Sequence, residues 1–209
     1  MNITAEIIRQ KLNEPLPGAS SHLKLAPEHR AQDLANMKGN FENAKKSAVM
    51  ILLFHEAEKL KVVFIRRSFY VGIHAGQIAF PGGRYEESDV EIKNTALREI
   101  EEEIGIAAEE IEILGQLTDI YVPPSNFLIS IFVGYLAKKP QYKPDECEVA
   151  EVIEVDLDEF FQDDVIQEKE FVVPSAKTSV KALYYRITNA DLWGASAMVM
   201  TEFIDILRK

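Results

Sequence analysis

Gly82-Gly83-Arg84-Tyr85-Glu86-Glu87-Ser88-Asp89, followed by Ala96-Leu97-Arg98-Glu99-Ile100-Glu101-Glu102-Glu103-Ile104-Gly105-Ile106, decides how this chain is read. Placed on a helix at about 100° per residue, Leu97, Ile100 and Ile104 form one apolar stripe that can face a core. Glu99, Glu102 and Glu103 fall on the other side, within a sector about 100° wide. Like charges at these spacings cost about 0.2–0.5 kcal/mol per pair in a simple helix, so propensity gives no reason to collect them. A hard divalent cation does: Mg2+ and Mn2+ take carboxylate oxygens and keep waters for a substrate or nucleophile. Arg98, four residues before Glu102, is spaced to hold it as an ion pair. Gly105 stands where a helix end wants a left-handed residue. Gly82-Gly83 let the backbone turn tightly and approach a ligand. The bland alternative is a solvated acidic face; the glycine turn, the arginine, the stripe and the terminal glycine, all at compatible offsets, favour the metal site.

Outward from this stretch, Ala48–Phe54 and Leu60–Ile65 are β-rich runs that read as a hairpin. Gln77–Phe80 is a short strand ending at Pro81. Downstream, Ile111–Ile120, Phe127–Leu136 and Val149–Val155 read as strands, the second nearly all apolar and so buried. A short helix is expected over Asp156–Gln162, further strands at Glu170–Val173 and Ala182–Ile187, and a last helix capped by Asn189 or Asp191 and running to about Leu207. At the start, Ile3, Ile7, Ile8 and Leu12 have helical spacing before Pro15 and Pro17 stop the pattern. Residues 14–46 read as irregular, with one helix candidate near 28–37. The division expected is an N-terminal helical arm over 1–46 and a domain over 47–209. Strands, one helix, more strands and a terminal helix suggest a mixed sheet covered by helices rather than regular βαβ alternation.

Composition narrows the function classes. The chain has 209 residues, 47% hydrophobic and 27% charged, with 23 Lys+Arg against 34 Asp+Glu and a formal net charge of −11. That size suits one domain with a real core, and that charge disfavours binding a nucleic-acid backbone. One cysteine, Cys147, excludes an intrachain disulfide and a cysteine-based zinc site and fits a reducing compartment. The longest apolar run, Ala48 to Phe54, is too short to cross a bilayer, and no signal peptide is evident. A cytoplasmic protein is expected. The charge is uneven: residues 84–110 are strongly acidic, 145–170 more so, and the remainder is net basic.

The stretch resembles the Nudix box of the Nudix hydrolases: Gly, five residues, Glu, seven residues, then Arg-Glu-apolar-any-Glu-Glu-any-Gly-apolar. Arg98 to Ile106 match the second half without exception. The first half departs, with Asp89 in place of Glu and one residue inserted before the helix. Both departures resemble the coenzyme A pyrophosphatase branch. So do Arg67-Ser68, Gly76 and Phe80-Pro81-Gly82-Gly83 upstream, and Leu192-Trp193-Gly194-Ala195-Ser196-Ala197 near the end. Val63-Phe64-Ile65 and Gly72 differ from that branch's upstream pattern. The resemblance covers about residues 47–208.

It implies an α+β protein with the Nudix fold, a mixed β-sheet sandwiched between helices with a loop-helix-loop catalytic box. The implied activity is divalent-metal-dependent hydrolysis of a phosphoanhydride in a nucleoside diphosphate derivative. Coenzyme A or an acyl-CoA, cleaved to 3′,5′-ADP and 4′-phosphopantetheine, is the first expectation. ADP-ribose or nucleotide sugars are the second, and a nucleotide-binding module without catalysis the third. Mg2+ or Mn2+ would be held by Glu99, Glu102 and Glu103, with Arg98 orienting them and a backbone carbonyl near Gly83 in the shell. Arg67, Gly82 and Gly83 would meet the substrate. Glu148 and Glu151 are candidates from outside the helix for the general base. The expected partner is a small nucleotide substrate, with neither nucleic acid nor membrane, and a homodimer by analogy. Arg66, His74, Tyr121 and Trp193 read as structural, and Cys147 among acids should be a poor thiolate.

Overall fold

The computed structural model describes residues 3–27, 41, 43–68, 76–173, 178–188 and 190–209. Strand β1 (Lys45–Glu56) turns back into β2 (Lys59–Arg67), with Glu56 opposite Lys59. On its other side β1 runs parallel to β7 (Phe127–Leu136), Lys45 facing Phe127. A strand flanked on both edges and covered on both faces needs an almost continuous apolar run, which Met50–Phe54 supplies. The sheet order is β3-β2-β1-β7-β5, where β3 is Ile78–Ala79 and β5 is Ile111–Gln116; β4 (Gly82–Arg84) also pairs with β1, β6 (Ile120–Val122) with β7, and β8 (Val149–Asp156) with β2. The sheet is mixed, as the resemblance implies.

Alternation along β1 divides the core. Ala48, Met50, Leu52 and Phe54 point to one face, where Ala96, Ile100 and Ile104 of helix α3 (Ile92–Ile104) cover them. Ile51 and Leu53 point to the other, under Met198, Phe203 and Ile206 of helix α4 (Gly194–Arg208). A second, antiparallel sheet is built from β9 (Ile166–Val173), β10 (Thr178–Ile187) and β11 (Ala190–Trp193), in the order β11-β10-β9.

Four local expectations are corrected. The last helix begins at Gly194, because Asp191 and Leu192 belong to β11, where Trp193 pairs with Tyr184 and stacks on Phe171. Ile111–Ile120 is two strands; Thr118 between them is drawn to Glu202 of α4, with Oγ1 donating at 2.7 Å. The short helix expected at Asp156–Gln162 is a 3-10 turn over Leu157–Phe161. Residues 14–46 contain a short helix, α2 (Ala19–His22). The candidate near 28–37, like Gly72 and His74, lies outside the described residues.

The arm is tied in by core and by charge. Helix α1 (Ala5–Leu12) buries Ile8 and Leu12, while Ile7 on its outer face stays exposed. Ile3, Ile8, Leu12 and Leu25 share one core with α4. Glu202 is fully buried, and a buried carboxylate must be matched by donors. It receives the Gly18 N–H at 3.0 Å, the Thr118 hydroxyl and N–H, and a contact from His22 Nε2 at 2.9 Å. Glu202→Ala strands these donors and is expected to cost about 2 kcal/mol. A lower Tm and faster limited proteolysis within residues 3–27 would show it; an unchanged digestion pattern would mean the apolar contacts alone hold the arm.

No helix among the described residues is long and apolar enough to cross a membrane.

Candidate functional site

The box forms where a strand, a turn and a helix meet. Arg67 ends β2, β4 carries Gly82 and Gly83, and α3 presents the glutamates. Gly82 sits at φ +142, and a Cβ there would lie 2.3 Å from the Ala48 carbonyl oxygen and 2.6 Å from the Val49 Cα. Only glycine lets this turn lie flat on β1. A Cβ on Gly83 would lie 2.3 Å from the Glu99 carboxylate. The bare backbone at Gly83 is therefore the floor against which that carboxylate rests. At the other end Gly105 closes α3 at φ +73, its N–H returning to the Glu101 carbonyl at 3.0 Å.

Arg98 organises the site with all five of its N–H donors. Nε gives 2.8 Å to Asp89 Oδ1 and Nη2 gives 3.2 Å to Asp89 Oδ2 and 2.9 Å to the Arg84 carbonyl. Nη1 reaches Glu99 at 3.0 Å and Glu102 at 2.8 Å. Asp89, 3% exposed, also accepts from Thr95 Oγ1 at 2.8 Å and from the Glu86 N–H at 2.9 Å. The Asp that departs from the general box pattern is thus the anchor of its arginine. The inserted residue falls between Asp89 and Arg98, after the short 3-10 turn Glu87–Asp89 that a capping box with Glu86 closes, and Val90 there takes φ +63. The Arg98 guanidinium and these bonds hold the Asp89 carboxyl down at about 2 from its usual 3.8. A depressed carboxyl stabilises the fold above its unfolded pKa and loses that contribution as pH falls through its folded one. The difference corresponds to about 2 kcal/mol. The wild type should therefore lose that stability between about pH 4 and 2, and Asp89→Asn should lack this limb in urea titrations across that range. Equal pH slopes for both proteins would refute the assignment.

The three box glutamates are not equivalent. Glu103, read from the helical wheel as lying on an open face, is buried at 1% exposure. The α3 axis carries that side chain under β4, where the Gly82 N–H donates to it at 2.8 Å. Burial pushes its carboxyl up to about 7 despite Arg67 nearby. Glu99 is half-buried and also raised, first by burial, with Arg98 opposing. Glu102 is 58% exposed and turned to Arg98. Among the described residues no three Asp, Glu, His or Cys groups converge as a ready metal cage. The chemistry of the donors nonetheless fits a hard divalent ion: all are carboxylate oxygens, and Glu103 is buried with Arg67 no closer than 3.7 Å.

Arg67 points inward. Its Nη2 donates to the Gly82 carbonyl at 3.0 Å and lies beside Glu103. Arg66, on the opposite face of β2, pairs with Glu151 at 2.9 Å, which takes Glu151 away from the site. Glu148 arrives from the acidic segment. The Asp145 N–H donates to the Glu103 carbonyl at 3.0 Å, the Glu148 N–H to the Asp145 carbonyl at 3.0 Å, and the Ser68 N–H to the Glu148 carbonyl at 2.9 Å. These bonds stitch the turn to the end of α3 and to the residue after Arg67. From there the Glu148 carboxylate raises the carboxyls of both Glu99 and Glu103. Sequence spacing alone did not distinguish Glu148 from its neighbours; its lead over Glu151 comes from the β2–β8 register, which sets Glu151 opposite Arg66 and Val149 opposite Arg67. Cys147, exposed, is raised by Asp145 and is no activated thiolate.

Comparison with known proteins bears on the family and the fold. The NUDIX domain family model matches residues 44–175. An uncharacterized Nudix hydrolase, NudL, of Pectobacterium atrosepticum is 39% identical over 56% of this chain and 60% of its own length. The peroxisomal coenzyme A diphosphatase of Mus musculus is 33% identical over 61% of this chain and 54% of its own. The match thus spans little more than half of each relative. Among solved structures, a MutT/nudix family protein of Enterococcus faecalis aligns over 100% of this chain and 76% of its own, with a TM-score of 0.54 at 16% identity, a likeness of fold.

Proposed function

The chain belongs to the Nudix family, and from that premise we propose that it is a divalent-metal-dependent pyrophosphohydrolase acting on a nucleoside diphosphate derivative, with coenzyme A or an acyl-CoA preferred. The observation that carries the reaction class is the buried, under-compensated Glu103 beside Glu99, both fixed against Gly82 and Gly83. Two such carboxylates beside bare glycine backbone are donors suited to a hard divalent ion. The substrate preference rests on Arg67-Ser68, Gly76 and Phe80 to Gly83, on Asp89, and on the coenzyme A diphosphatase among the relatives. Cys147, free and exposed, suits a cytoplasmic setting.

Glu99 and Glu103 would hold Mg2+ or Mn2+, with Glu102 able to leave Arg98 and join them. When bound, such an ion neutralises diphosphate oxygens and acidifies a water. The remaining work belongs to the chain. Asp89 fixes Arg98, and Arg98 fixes Glu99 and Glu102. The Gly82 N–H fixes Glu103. Arg67, one edge of whose fork is taken by the Gly82 carbonyl, has further donors for a phosphate oxygen. Glu148, exposed at the mouth, is the carboxylate outside the helix best disposed to take a proton from the attacking water.

Incubation with Mg2+ or Mn2+ and a panel of coenzyme A, ADP-ribose and a nucleotide sugar, with products identified by mass, tests this. Release of 3′,5′-ADP and 4′-phosphopantetheine is expected. Turnover of ADP-ribose alone would overturn the substrate preference, and tight nucleotide binding without any turnover would overturn the enzyme.

A further inference from the structure

Residues 143–148 reach from the end of α3 to the residues that close β2, and all of them are exposed. A run of exposed residues has little core to hold it and is mobile by default. This one is fastened at both ends. The Lys143 N–H donates to the Ile104 carbonyl at 2.9 Å, and a Cβ on Gly105 would come within 2.7 Å of the Lys143 Cβ. At the far end Val149, 2% exposed, joins the core that Ile100 and Ile104 build, and it stands opposite Arg67 in the β2–β8 register.

Between these fastenings the turn is closed by a side chain of its own. Asp145 Oδ1 accepts the Cys147 N–H at 2.8 Å. The Asp145 carbonyl accepts the Glu148 N–H at 3.0 Å and the Val149 N–H at 2.8 Å, and its own N–H donates to the Glu103 carbonyl at 3.0 Å. An aspartate oxygen that reaches a backbone N–H two residues on gives a turn of exposed residues the closure that burial would otherwise supply. The turn is referenced to the site on both sides: to Glu103 through Asp145, and to the residue after Arg67 through the Ser68 N–H, which donates to the Glu148 carbonyl at 2.9 Å, and the Ser68 hydroxyl, which donates to the Glu146 carbonyl at 3.2 Å. A carboxylate that takes a proton from water works only if it is held in reach, and a displacement of about 1 Å can cost 10²-fold in rate. We propose that Asp145 is the positioning residue for Glu148, its carboxylate fixing the turn from which Glu148 faces Glu99 and Glu103. This rests on the hydrolase reading above, in which Glu148 accepts the proton, and adds the group that keeps it in place.

The test joins a kinetic cycle to a measurement made without metal or substrate. On the panel compound that the wild type hydrolyses, Asp145→Ala should lower kcat about tenfold and leave KM within about twofold. Asp145→Asn, whose side-chain oxygen still accepts the Cys147 N–H, should recover kcat to within about twofold of wild type. Glu146→Gln, which removes a charge from the same turn and leaves the closure intact, should behave as wild type. In a Glu148→Gln background, Asp145→Ala should cost no further rate, because the group it positions is already gone. Amide hydrogen exchange at Cys147, followed by NMR on metal-free protein, should quicken about tenfold in Asp145→Ala and stay near wild type in Asp145→Asn. The altered side chains are exposed, so the variants are expected to fold. An equal loss of kcat with Glu148 present and with Glu148→Gln would make Asp145 a structural residue and overturn the proposal. So would an asparagine variant as slow as the alanine one, or exchange at Cys147 that the alanine leaves unchanged. A wild type that turns over nothing in the panel overturns the hydrolase reading and Glu148's role with it; turnover with equal losses overturns the positioning role alone.

Discussion

Gly82→Ala should cost about 3–5 kcal/mol of stability and lower the Tm by about 6–20 °C. The added methyl meets backbone atoms, not a side chain able to swing aside: 2.3 Å to the Ala48 carbonyl oxygen and 2.6 Å to the Val49 Cα, in the central strand of the sheet. Overpacking a well-filled site costs about 1–3 kcal/mol even where side chains can yield. The unfavourable φ of +142 adds about 1–3 kcal/mol. Domains hold only about 5–15 kcal/mol in all. Gly83→Ala is the contrast. Its Cβ would meet the Glu99 carboxylate, which can rotate away, so this variant should fold with a Tm within a few degrees of wild type and bind divalent ions poorly. Thermal melts followed by circular dichroism, with Mn2+ titration of the folded variant, separate the two. Equal melting temperatures for both variants would mean that the turn is not seated on β1 as described.

Glu103→Gln should reduce kcat/KM by about 10²–10³-fold, the usual scale for deleting a preorganised electrostatic partner, without lowering stability. Glutamine still accepts the Gly82 N–H, while the charge is gone. Burial raises this carboxyl to about 7, so its charged form works against folding, and more so as pH rises toward and past that value. Above pH 7 the metal-free variant should therefore melt at the wild-type temperature or higher. Added Mn2+ should raise the Tm of the wild type and not of the variant. A variant that melts well below wild type without metal would make Glu103 a structural residue.

The sequence carried the box because its signals agree with one another. The stripe of Ile100 and Ile104 and the stop at Gly105 both appear as expected. The strand Phe127–Leu136 was readable because a buried central strand is apolar on both faces. What escaped is set by tertiary geometry. A helical wheel gives angles and not depth, so it grouped Glu103 with Glu102 although β4 covers one and solvent the other. Trp193 and Leu192 had helix-compatible spacing, and only pairing with Tyr184 and Tyr185 makes them strand. Alternation puts Arg66 and Arg67 on opposite faces of β2, yet nothing local says that Glu151 would answer the first. Glu148 needed the β2–β8 pairing, which sets the turn before β8 against Arg67 and Ser68.

The docking of the arm on α4 also sets a timetable. Glu202, which receives Gly18, His22 and Thr118, follows Gly18 by 184 residues, and the parallel partner of β1 waits for β7. A chain emerging N-terminus first must therefore carry the β1–β2 hairpin with one edge of β1 open and its row of buried side chains uncovered until β7 has left the ribosome. Such high contact order makes folding slow and leaves sheet edges open meanwhile. Expression at reduced temperature, or with a chaperone present, should accordingly raise the soluble yield more than it raises the stability of the finished protein.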